Sequence, residues 1–87
     1  MPWISAFYGI VIFMYWNERD HPVAHFHAHY AGQRASISVD GTVLAGRLEG
    51  RALDFVREWA SLPKDELLAN WERARRSEPL VPIAPLP

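Results

Sequence analysis

The chain has 87 residues, enough for one small domain near the length at which burial only just offsets chain entropy. A hydrophobic share of 49%, with four Trp, four Phe and three Tyr, supplies a core and argues against disorder. A net charge of -1 argues against a globally basic nucleic-acid binder, and the lack of cysteine excludes disulfides, cysteine zinc sites and thiol catalysis.

The segment from Ile4 to Trp16 carries no charge. It lacks the basic start and small-residue cleavage site of a signal peptide, and it is shorter than the roughly 20 residues that span a membrane. A cytoplasmic protein without membrane association is expected. Within it, IVIFMYW is β-branched and aromatic, which predicts a strand over 10–16 covered on both faces. NERDHP then breaks the pattern and reads as a loop. From His25 to Tyr30 the alternation is strict, with His25, His27 and His29 facing one way and Phe26, Ala28 and Tyr30 the other. AGQ makes a turn into a strand over 34–39. Asp40-Gly41 is a two-residue hairpin signal of type I′, and 42–48 is the returning strand.

The character changes at Gly50. RALDFVREWASL predicts a helix over 51–61 with Leu53, Val56 and Trp59 or Ala60 inward. KDELLANWERARR predicts another over 63–76, with Pro63 in its first turn and a stripe of Leu67, Leu68, Trp71 and Ala74. Its early Asp65 and Glu66 and late Arg73, Arg75 and Arg76 suit the helix dipole. Residues 78–87, rich in proline, predict an extended tail. The expected fold class is α+β: an antiparallel sheet of about four strands, a β-meander with a hairpin at Asp40-Gly41, followed by two C-terminal helices and a proline-rich tail in a single domain over 1–87.

Function points to HPVAHFHAHY, residues 21–30, which holds all four histidines. Neighbouring histidines on one strand face are about 6.5–7 Å apart at Cα and can converge on one ion. His25 and His29 are roughly 13 Å apart, too far to share it easily. A metal site would therefore use His25 and His27 with His21 from the loop, Asp20 or Glu18 supplying oxygens, and zinc or nickel as the ion. The same imidazoles suit acid–base chemistry. His25 and His27 with Arg34 or Arg47 would make a metal-independent ribonuclease. The net charge disfavours that, and no catalytic spacing is diagnostic. The plainest reading is a polar or partner-binding surface made of Asp20, His21, His25, His27 and His29.

MPWISAFYGIVIFMYW, the His-Phe-His of residues 25–27, the hairpin and REWASLPKDELLANWERARRSEPLVPI together resemble the small bacterial proteins of domain of unknown function 4160. The resemblance runs over nearly the whole chain. It places the family's acidic-His loop on Asp20 and His21, its His-Phe-His on His25 to His27, and its Asn-Trp-Glu on Asn70 to Glu72. His29 stands outside that pattern, and Val23-Ala24 replace the usual pair of prolines. The resemblance implies a setting rather than a chemistry: a toxin–antitoxin-like or regulatory operon whose neighbouring short protein is the companion. A binding protein working through protein–protein contacts is thus expected rather than an enzyme, with a homodimer open and nucleic acid disfavoured.

Overall fold

The computed structural model describes residues 3–16 and 23–87. The fold is α+β. A five-stranded antiparallel sheet runs in simple chain order from β1 (Trp3–Phe7) through β2 (Ile10–Phe13), β3 (His25–Tyr30) and β4 (Gln33–Ser38) to β5 (Val43–Gly46). Two helices follow, α1 (Gly50–Ala60) and α2 (Lys64–Arg75). No helix among the described residues is long and apolar enough to cross a membrane.

The sheet has one strand more than expected. In β1 a register shift between Trp3 and Ser5 interrupts the alternation, so that Ile4 and Ser5 are both buried. A bulge of this kind removes the period-two signal by which a strand is read. The turn after it is equally unmarked: Tyr8 and Gly9 both take positive φ between the paired Phe7 and Ile10, a type I′ pattern with tyrosine where asparagine or aspartate is usual. Strand β2 ends at Phe13, with Tyr15 and Trp16 beyond it exposed.

The hairpin at Asp40-Gly41 forms, but not as type I′. Gly41 alone of the two has positive φ, the Gly41 N–H donates to the Ser38 carbonyl (2.9 Å), and the Ser38 N–H donates to the Thr42 carbonyl (2.8 Å). This is a tight turn closed by a glycine bulge, in which the Asp40 carboxylate accepts from the Ser38 hydroxyl and the Thr42 N–H. The type I′ geometry instead joins β3 to β4, where Ala31 and Gly32 both take positive φ between paired Tyr30 and Gln33. Strand β5 is short because Gly46, at φ +78°, bends the chain; its ideal Cβ would stand 2.2 Å from the Arg34 carbonyl oxygen.

One sheet face carries the core. Ile12, Phe26, Ala28 and Ile37 are fully buried there, and Trp59 of α1 lies edge-on to Phe26 at 5.7 Å between ring centres. Glu49 caps α1 by accepting from the Ala52 N–H at 2.8 Å. Pro63 is the residue before α2, not in its first turn. The buried stripe of α2 is Leu67, Asn70, Trp71 and Ala74, whereas Leu68 is 41% exposed.

Asn70 explains the exchange. Its amide donates to the Val81 carbonyl (2.8 Å) and accepts from the Val81 N–H (2.9 Å) and from Arg73 (2.9 Å). The C-terminal segment is thereby held as a strap. The Ile83 N–H donates to the Ile4 carbonyl (2.7 Å), the Trp59 indole to the Ala84 carbonyl (2.9 Å), the Trp16 indole to the Glu78 carbonyl (2.7 Å) and the Tyr8 hydroxyl to the Pro87 carbonyl. Ile83 and Leu86 are buried in the core, each burial being worth about 1.5–3 kcal/mol. The prolines lower the entropy the unfolded segment has to lose.

Candidate functional site

The histidine strand β3 is the central strand of the sheet, between β2 and β4, so its register on both neighbours decides what surrounds each ring. His29 pairs with Val11 and Arg34, His27 with Phe13 and Ser36, and His25 with Ser38. Cross-strand partners share a face. The histidines therefore stand with Phe13, Arg34 and Ser36 on the face opposite Phe26 and Ile37, and Trp3, paired with Phe13, joins them at the edge.

The three rings differ in environment. His25 is fully buried, 5.0 Å from the Trp71 ring and 5.3 Å from the His27 ring. Its Nδ1–H donates to the Val23 carbonyl at 2.7 Å. A carbonyl only accepts, so Nδ1 carries the proton. His27 is half-buried, shares a 3.2 Å hydrogen bond with the Ser36 hydroxyl and meets the Tyr15 ring edge-on at 4.7 Å. His29 is half-buried and tilts against Phe13 at 4.6 Å. Its pKa lies below the ordinary value, first because burial removes water from the ring, then because the positive charge of Arg34 and the neighbouring His27 oppose protonation.

A shallow groove of about 350 Å³ opens on this face, lined by Tyr15, His27, His29, Arg34, Ser36 and Ala45. Gly46 completes its wall where a side chain would strike Arg34. Of the four residues considered for acid–base chemistry, His27 and Arg34 share the groove, and His25 and Arg47 lie outside its lining. His21, Asp20 and Glu18 lie outside the described residues. Among the described residues no three His, Asp or Glu side chains come together as a metal-holding group. Arg47 is exposed, its N–H donating to the Arg34 carbonyl at 2.8 Å.

Sequence reasoning missed Tyr15, which it placed in a strand covered on both sides. The alternation was present: Ile10, Ile12 and Met14 point inward, while Val11 is half-buried and Tyr15 is 36% exposed. A continuous apolar run conceals that parity, because both of its faces look hydrophobic.

No curated protein matches this chain, and no solved structure does. The family described as domain of unknown function (DUF4160) matches residues 9–72, from the first hairpin turn through the Asn-Trp-Glu of α2, and the chain belongs to that family.

Proposed function

We propose that this is a binding protein acting through the open face of its sheet on a small companion protein, in the bacterial cytoplasm and within a toxin–antitoxin-like or regulatory pair. The observation that carries this reading is the prepacked ring surface: Phe13 against His29 at 4.6 Å and Tyr15 against His27 at 4.7 Å, bordered by exposed Trp3 and by Arg34. Aromatic and arginine side chains dominate the energetic centres of protein interfaces. Rings already held by one another lose little freedom on binding, so more of their contact energy appears as affinity. The operon setting comes from the family resemblance. The test is co-expression with the protein encoded beside it and calorimetry of the purified pair. Tyr15→Ala and His29→Ala, in a folded protein, should each weaken the complex about tenfold or more; an undiminished complex refutes the assignment of this face.

A second reading is a transition-metal site on His25 and His27 completed by His21. In its favour, the His25 Nδ1–H is fixed on a backbone carbonyl, the arrangement that orients a histidine ligand through its other nitrogen, and the His27 ring is adjacent. Calorimetric titration of chelator-stripped, untagged protein with zinc and then nickel tests it: one equivalent bound and lost in His27→Ala supports the site, and non-stoichiometric heat refutes it.

A further inference from the structure

Among the described residues most cations are occupied. Arg57 donates to the Gly41 carbonyl, Arg73 to Asn70 and Arg75 to Glu72, Arg76 lies 3.8 Å from Glu78, and Arg51 lies over the Phe55 ring. Arg34 differs. It is exposed at the groove and has no hydrogen bond or ion pair from its guanidinium among the described residues. No Asp or Glu among the described residues lines the groove either. The cation's influence is felt instead by His29, whose protonation it opposes.

Resting on the binding function proposed above, we infer that the groove receives an acidic segment of the companion protein, with a carboxylate seated on Arg34 and an apolar neighbour on the Tyr15 ring. A guanidinium offers a carboxylate two parallel hydrogen bonds, and the adjacent Ser36 hydroxyl and His29 ring add polar partners beside it. Arrival of an anion also relieves the repulsion between Arg34 and a protonated His29. The wall at Ala45 and Gly46 is low, which lets an extended backbone lie close to the sheet. Single-stranded nucleic acid suits the rings but not the charge: affinity for it grows with the number of phosphates neutralised, and the groove lining holds one arginine and no lysine.

The experiment uses the full chain and its Arg34→Gln variant, both checked for equal melting temperature. The ligands are the companion protein, a labelled ten-residue peptide alternating Glu and Leu, its Lys-Leu counterpart and a single-stranded RNA decamer. The expected result is that companion and acidic peptide bind the parent, that Arg34→Gln weakens both by about tenfold or more, and that added salt weakens them further. The Lys-Leu peptide should not bind. A companion complex that forms equally well with Arg34→Gln overturns the carboxylate assignment while leaving the binding function in place. RNA binding tighter than the acidic peptide overturns it in favour of nucleic acid. A dimer in sedimentation that Arg34→Gln dissolves assigns the groove to a second copy of the chain. Loss of the companion complex altogether, with the acidic peptide still bound through Arg34, refutes the proposed companion and retains the acidic specificity.

Discussion

Asn70 grips the peptide of Val81 from both sides, its amide donating to the carbonyl and its oxygen accepting from the N–H eleven residues further along the chain. A fully buried side chain is thereby used up in holding backbone. Asn70→Ala removes both bonds to the half-exposed Val81 peptide, at about 0.5–1.5 kcal/mol each. The melting temperature should fall by roughly 4–8 °C for every kcal/mol lost. In a chain ending at residue 78 the same substitution should cost much less, because the two changes remove one interaction; melting curves of the four proteins in this cycle check the coupling.

Gly46→Ala places a Cβ against the Arg34 carbonyl oxygen in a left-handed backbone conformation. Neither the backbone oxygen nor the φ angle can yield cheaply. A loss of about 2–4 kcal/mol is expected in urea unfolding, with the denaturant slope of the parent unchanged.

His25 and His29 should separate stability from surface. His25→Ala empties a fully buried site against Trp71 and frees the Val23 carbonyl, and should cost about 2–4 kcal/mol. His29→Ala should cost less than about 1 kcal/mol. Thermal melts of the two variants distinguish them. Binding studies on this strand are therefore cleanest with His27 and His29.

The lowered pKa of His29 fixes the sign of a pH effect. The groups facing the ring are Phe13, Arg34 and His27. On acidification the unfolded chain takes up this proton at the ordinary value of about 6.5, before the folded protein does. Stability is unaffected by this group above that value and falls as pH drops from there through the lowered folded value. His29→Gln should therefore lose less melting temperature than the parent between about pH 7.5 and about pH 5.5. In Arg34→Gln the His29 proton resonance should titrate at higher pH than in the parent, since the repulsion from the guanidinium is gone.

The legible parts of the fold were those with a regular period. The His25–Tyr30 alternation, the return through Ile37 and the stripe of Val56 and Trp59 all depend on side chains repeating at two or near four residues. Strand β1 was hidden by its bulge and by a turn made with Tyr8, and the hairpin chemistry of Ala31-Gly32 and Asp40-Gly41 was interchanged. Asn70 escaped as a core residue because polarity alone reads as surface, and its partner, Val81, is chosen by tertiary folding. At the site, the parity of the histidines was plain from sequence. Their unequal burial was not, because Trp71 reaches His25 from a helix more than forty residues away in the chain.

The strap also decides how copies of this sheet can meet. With the Ile83 N–H bonded to the Ile4 carbonyl, the strap obstructs strand addition at the β1 border, and β5 is the terminal strand on the other side. A fibril made by strand addition needs two complementary borders on every subunit. Here a β5-to-β5 union about a two-fold axis consumes the remaining border of both molecules at once, so that assembly by this route closes at a pair.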